Sequence, residues 1–294
     1  MPRLKVLRLR IYQPHAHYRI PFTYQRRHTY PIPPYSTVIG FLCNVLGIDD
    51  QEKDTYKKLR KIKISIAGRF EAKTTEHIWF RNLNKNSHES RFGRVPNRAI
   101  GGEVEHIGGQ SPVRIDVLEE VRLVLHLAHE EEAFLESIRE ALRNPRQRLE
   151  VLHLGRAEDW IVLEEISEIM EIRPDSSFMR RDGNYGHFFW IPEKMYPGSL
   201  GGESRGSGGF AGLVYRLPTF WRVEGFEQTR NRHGRRIFEY VTAILNEGLF
   251  TRVEFLFDEA CGLPVFLAEL ENPESRIENA KNTDLFSHSK SEPL

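Results

Sequence analysis

The sequence predicts an α+β fold: a βαββαβ body interrupted by one long insertion and followed by a mostly β C-terminal elaboration. Three observations predict it. Stretches with apolar residues at every second position recur along the first 155 residues. Two stretches with apolar residues at helical spacing fall between them. A segment at 69–115, rich in Arg, Asn, Gly and His and poor in core formers, parts the second strand from the third.

The elements follow in order. Residues 4–13 alternate as a strand, with Leu7, Leu9 and Ile11 on one face and Arg8, Arg10 and Tyr12 on the other. A Pro-rich polar loop runs to Pro34. The spacing of Val38, Phe41, Leu42, Val45 and Leu46 predicts a helix from Ser36 to Leu46, with Ser36 or Thr37 as its cap and Gly47 as its end. A polar helix around Gln51–Arg60 leads to a strand in which Ile62, Ile64 and Ile66 alternate with Lys63 and Ser65. Within the insertion, His77–Phe80 is able to pair with a later strand. Val117–Ala128 is the third strand. Glu130–Arg143 is the second helix, acidic at its start and basic at its end as the helix dipole favours, and Asn144-Pro145 stops it. Leu149–Leu154 is expected to be the fourth strand. This βαββαβ order is the ferredoxin-like plan that RNA-recognition folds share, but a fold alone does not fix a function.

After residue 155 the pattern weakens. Trp160–Ile172 reads as a strand or hairpin, and Phe238–Leu245, Val253–Phe257 and Val265–Leu270 read as strands. The organisation expected is a body at 1–155 with its insertion at 69–115, a β-rich subdomain at 156–272 forming a second small sheet, and a polar tail at 273–294 without structure. Gly198–Gly209 has no phosphate-binding signature and reads as a linker.

Composition narrows the function. The chain has 294 residues, 39% hydrophobic and 28% charged, which fits a globular protein of the cytoplasm with no membrane segment. The two cysteines, Cys43 and Cys261, are expected as buried free thiols and cannot build a zinc site by themselves. Net charge is only +1, yet Met1–Ile48 holds seven Arg or Lys and no acid, and Arg216–Arg236 holds six Arg against two Glu. Acid collects elsewhere, so a basic surface and an acidic one are expected on one molecule.

The densest chemical signal is Tyr18–Tyr30, YRIPFTYQRRHTY. Arg19, Arg26, Arg27 and His28 suit phosphates, and rings such as Tyr30 suit unpaired bases. An aromatic loop packed on a sheet has the same composition. The run leads to the helix start at Ser36 and Thr37, where free N–H groups favour a phosphate. In the insertion, Arg81, Arg91, Arg94 and Arg98 stand among glycines, as in an arm that orders on RNA. No metal, nucleophile or cofactor motif appears, and none is expected. A metal-independent ribonuclease would need only a His or Tyr base and a cation, for which His28 and His77 are available.

Two segments carry a resemblance. PIPPYSTVIGFLCNVLG at 31–47, through Pro34, Ser36, Thr37, Gly40, Phe41 and Leu42, resembles the helix start of the fifth CRISPR-associated protein family, of the RAMP superfamily. LGRAED at 154–159 is similar to that family's Leu-Gly-Arg-x-Glu/Asp element and adds Arg156 to the RNA-binding set. The likeness covers about the first 160 residues, most nearly in the type I-B form. It implies a ferredoxin-like body whose thumb is the 69–115 insertion. It also implies a non-catalytic subunit of Cascade that holds the 5′ handle of the crRNA and abuts the backbone and large subunits. A contact with target DNA near the protospacer-adjacent motif is left open. In the type I-C branch the subunit itself cuts the precursor with a Tyr, a Lys and a His, a set that is not placed on this sequence. Three readings therefore stand: an RNA-holding subunit, a precursor-cutting endoribonuclease, and a protein-only scaffold.

Overall fold

A computed structural model describes residues 4–82, 99–100, 103–104, 109–174, 183–195, 212–224, 235–250 and 255–271. Arg91, Arg94, Arg98, Gly198–Gly209 and the tail after Asn272 lie outside these residues.

The fold is mostly antiparallel β, with three α-helices among the described residues. Alternation in the chain builds its centre. β1 (Leu4–Ala16) pairs along its length with β7 (Gly109–Ala128), and β7 pairs on its other side with β3 (Lys63–Arg69). β8 (Val162–Ile166) and β9 (Met170–Pro174) lie one after the other along the free edge of β1. The helix α1 (Tyr35–Leu46) and the short helix α2 (Asp54–Leu59) lie in sequence between β1 and β3, and α3 (Glu132–Arg143) follows β7. Leu7, Leu9 and Ile11 of β1, Ile64 and Ile66 of β3 and Leu123, Leu125 and Leu127 of β7 pack against Val38, Leu42, Leu135 and Ile138 of the two longer helices. One face of the sheet is thereby covered as the alternation predicts.

The fourth strand is not at Leu149–Leu154. There Asn44, near the end of α1, takes the backbone: its Oδ1 accepts the N–H groups of Leu149 (3.0 Å) and Glu150 (2.8 Å). Peptide groups held by a side chain cannot also join a ladder. Leu149 and Val151 consequently face solvent, and β8 and β9 take the edge. The helix start also differs. Its cap is Pro34, with no side-chain cap bond, and Ser36 and Thr37 are in the first turn. At the other end Gly47 has φ +66°, and a Cβ there would sit 2.4 Å from the Gln147 carbonyl, so only glycine ends α1 this way.

Among the described residues, the strands of the second half join this same sheet, except that Gly183–Asn184 and Leu249–Phe250 pair apart from it. β11 (Phe188–Pro192) pairs with β3 and carries β13 (Arg235–Asn246), which pairs with β12 (Leu213–Glu224). β15 (Leu256–Asp258) pairs with β9, and β17 (Ala268–Glu269) with β3. The segment 255–267 crosses the face opposite the helices, where Phe255, Leu263 and Phe266 pack on Ala67, Val124, Phe189 and Ile244. Among the described residues no helix is long and apolar enough to cross a membrane.

Beneath that segment lies a row of polar side chains, Ser65, His126 and Arg8, in register across β3, β7 and β1. Ser65 Oγ accepts the Phe266 N–H at 2.9 Å. Arg8 donates to Asp258 and to Glu165, each at 2.6 Å, and His126 Nε2 lies 2.9 Å from Asp258. Burial alone would raise the Asp258 pKa, but the bonds from His126 and Arg8 hold it well below the usual carboxylate range.

Candidate nucleic-acid interface

β7 runs past β1 and continues as an arm. Gly109–Glu119 pairs with β4 (Ala72–Asn82), and the two-residue β2 (Arg26–Arg27) adds a third, parallel strand beside Arg114 and Ile115. Period-two alternation then sorts the arm's side chains. Val113, Ile115 and Val117 pack with Ile78 on one face. The other face displays a row of Arg26, Arg114 and His77, all exposed. Lys73, Thr75 and Trp79 share that face.

Asp116 organises the face. It is nearly inaccessible, and its carboxylate takes His28 Nδ1 at 2.9 Å, Arg26 Nε at 3.5 Å, Lys73 Nζ at 3.9 Å and Thr75 Oγ1 at 3.3 Å. Burial would raise its pKa; the His28 bond and the nearby Arg26 and Lys73 charges lower it instead. The carboxylate thus remains charged and pins the imidazole of His28, which is half exposed. Arg19 donates to the Thr23 carbonyl, and neither Arg19 nor Arg114 has an acidic partner among the described residues.

Around these cations stand large exposed rings: Phe22 at 84%, Tyr24 at 74% and Trp79 at 70%. Phe22 also has φ +64°, which costs energy for a bulky residue and marks the loop tip as strained. Arg27 is on the opposite face of the arm, its guanidinium 4.9 Å over the Phe80 ring. Flat uncovered rings beside uncommitted cations are what unpaired bases and phosphates require.

Several expected site residues lie elsewhere. Tyr30 is only 3% exposed and meets Trp190 and Tyr215 edge to face, so no base can stack on it. Ser36 borders a cavity beside β12 rather than the arm. Thr37 is half-buried in the first turn of α1. The backbone of Arg81 belongs to β4, and its side chain lies outside the described residues. Arg156 is committed inward, to Asp159 at 2.8 Å, Glu76 at 3.0 Å and Glu158 at 3.4 Å. Its motif is a structural knot. Buried Asp159 accepts the backbone N–H groups of His17 (2.9 Å) and Arg156 (2.8 Å). Gly155, at φ +108°, leaves no room for a Cβ against Asp159 and the His17 carbonyl.

Sequence reasoning missed Lys73, Arg114 and Asp116. The alternation of Lys73, Thr75, His77 and Trp79 was the available signal, readable only once β4 is known to be a strand.

Among the described residues one group has metal-ligand chemistry: His126, Asp258 and Cys261. Arg8 already supplies the positive charge there, and burial pushes the Cys261 thiol up to about 12. The two cysteines are half-buried rather than buried.

Buried histidines give the fold a pH dependence. Burial holds His17, His126 and His187 below the ordinary imidazole range, only partly offset by their hydrogen bonds. In the unfolded chain they bind protons near pH 6.5, and in the folded chain only at lower pH. The unfolded state then holds more protons, so stability should fall as pH drops from about 7 to about 5. Asp116 and Asp258, depressed in the fold, should add a second loss below about pH 4. Urea unfolding at pH 7, 6 and 5 checks the first phase; equal midpoints would mean that these imidazoles are hydrated.

Comparison with known proteins adds the affiliation. Residues 6–238 match the family model described as CRISPR-associated protein (Cas_Cas5). Among solved structures, the chain is similar to one titled CRISPR RNA-guided surveillance complex, at 13% identity and TM-score 0.46, covering 95% of this chain and 98% of that one. A structure of a Cas protein matches at 15% identity and TM-score 0.40, over 84% and 95% of the two chains. A CRISPR protein from Archaeoglobus fulgidus matches at 11% and 0.34, over 90% and 99%. No curated protein matches. The structural likenesses are too loose to carry an argument, but the family match takes in most of the sequence, both motif segments and the whole arm: this chain belongs to the CRISPR-associated protein (Cas_Cas5) family.

Proposed function

We propose that the chain is an RNA-binding subunit of a type I, I-B-like Cascade complex in the cytoplasm, holding the 5′ handle of the crRNA and meeting the backbone and large subunits. The observation that carries this reading is the arm's cationic face: Arg26, Arg114 and His77 in one row, with Trp79, Tyr24 and Phe22 uncovered around it. The strand order β8/β9–β1–β7–β3, with α1 and α3 on one face, supports a ferredoxin-like body of the RAMP kind, and the arm is its thumb. Arg91, Arg94 and Arg98, outside the described residues, would add to the grip on this reading, and target DNA near the protospacer-adjacent motif would be a further partner of the assembled complex.

One observation favours a second reading, a metal-independent endoribonuclease. His28 Nδ1 lies 2.9 Å from the carboxylate of buried Asp116, a geometry that would leave Nε2 to act as the base. Nε2 would take the proton of a 2′-hydroxyl, whose oxygen attacks the adjacent phosphorus. The 5′-oxygen leaves with a proton from a second acid, and a 2′,3′-cyclic phosphate forms. Lys73 and Arg26 would steady the phosphate.

The test is incubation of the purified chain with CRISPR repeat RNA in EDTA, read by gel shift and by cleavage. Tight binding without discrete products supports the subunit. Discrete products that vanish in His28→Ala, with binding retained, support the nuclease. Absence of binding, alone and in complex, sinks both.

A further inference from the structure

A second surface of the chain has the chemistry of the arm and no assigned role. β12 and β13 form a long ribbon at the far edge of the sheet. One face turns inward: Leu217, Phe220, Ala243 and Leu245 are buried. Cations there are matched, since Arg60 pairs with Glu239 and Glu271. The other face carries Arg216, Trp221, Arg236, Phe238 and Tyr240.

Register and a bulge bring these together. Pro218 faces Tyr240, but a bulge follows, so that Trp221 rather than Phe220 stands opposite Phe238. Phe220 is thereby turned into the core against Tyr56, and Trp221 is turned out. Bulges re-aim side chains in this way at functional places. Arg216 then lies 4.3 Å over the Tyr240 ring, and Arg236 lies 4.6 Å over the Trp221 ring. Both arginines are exposed, and neither has a carboxylate partner among the described residues. Ring and guanidinium planes recur at every second residue of β13, about 6.8 Å apart. Trp221 and Phe238 also wall a cavity of about 370 Å³, whose other wall is Ser36, Ile39, Gly40 and Cys43 of α1.

We propose that this ribbon face is a second binding surface for single-stranded nucleic acid, separate from the arm. The stacked Arg–aromatic pairs receive bases on their flat faces, the guanidinium forks hold phosphates, and the cavity seats one unpaired base. An acidic protein partner would satisfy the charges but would make no use of the rings beneath and beside them.

The experiment measures binding of the full chain to one 20-nucleotide sequence, as single-stranded RNA and as single-stranded DNA, by anisotropy. Arg216→Glu/Arg236→Glu is made alone and on an Arg26→Ala/Arg114→Ala background. Both ribbon positions are exposed, and unchanged thermal melting confirms the fold. The ribbon variant should weaken binding about tenfold on either background, and ultraviolet cross-links should map to Trp221, Phe238 or Tyr240. Loss for RNA only, DNA only or both supports the surface and names its ligand. Unchanged affinity without such cross-links overturns it, as does binding of polyglutamate in place of nucleic acid. Loss through the arm variant alone overturns the ribbon and leaves the arm's role standing; loss through the ribbon variant alone does the reverse.

Discussion

Replacing Arg8 by Ala should cost about 3–5 kcal/mol of folding stability, the range for removing one partner of a buried ion pair. Arg8 is 8% exposed and Asp258 3%. Four parts of the chain meet at this point: β1 through Arg8, β7 through His126, β8 through Glu165 and β15 through Asp258. Without the guanidinium, Asp258 keeps only the His126 and backbone bonds, and Glu165 loses its closest cation. Burial works to lower the Arg8 pKa, yet its two acidic partners raise it, so the guanidinium that the variant removes is fully charged. The cost should appear first as release of the 255–267 segment from the sheet. Urea unfolding of wild type and variant measures it. A loss below about 1 kcal/mol, the worth of an exposed pair, would mean that water reaches the site.

The second large effect is on RNA. Replacing Arg19, Arg26 and Arg114 together by Ala should lower the slope of log K against log salt by about 2.1, since each phosphate contact on a single strand contributes about 0.7. Folding should change little, because all three stand at the surface. Removing Arg26 takes one cation from buried Asp116, but His28 and Lys73 remain. Titration with repeat RNA between 50 and 400 mM salt reads the slope. An unchanged slope would show that these arginines meet protein or solvent.

The two motif segments were legible as a family signature, but their work was not. Pro34 was read as preceding a cap when it is the cap. Arg156 was read as a hand for RNA, when Asp159, Glu76 and Glu158 hold it to tie the end of β1 to a loop. Composition cannot tell a cation that faces solvent from one whose partner lies 80 residues away. Tyr30 failed for the same reason: Trp190 and Tyr215, which cover it, come from the half of the chain whose pattern was weakest. Arg26 and His28 stood out as candidates because an acid-free run of cations has few ways to be neutralised locally. The acid that organises them, Asp116, arrives from a strand nearly 90 residues on.

Alternation by itself determined which residues share a face. Leu7, Leu9 and Ile11, and likewise Leu123, Leu125 and Leu127, stand where period-two spacing puts them, because a strand's side chains have no other choice. It also put Ser65, His126 and Arg8 on the opposite faces of their strands, where an isolated sheet would leave them in water. Only the tertiary structure decided that residues 255–267 return to cover that row, burying three polar groups and supplying Asp258 to Arg8 and His126 and the Phe266 N–H to Ser65. The physical reason is range. Spacing along a strand is set by local stereochemistry, but whether a polar face meets water, RNA or a distant segment depends on which surfaces the rest of the chain leaves uncovered.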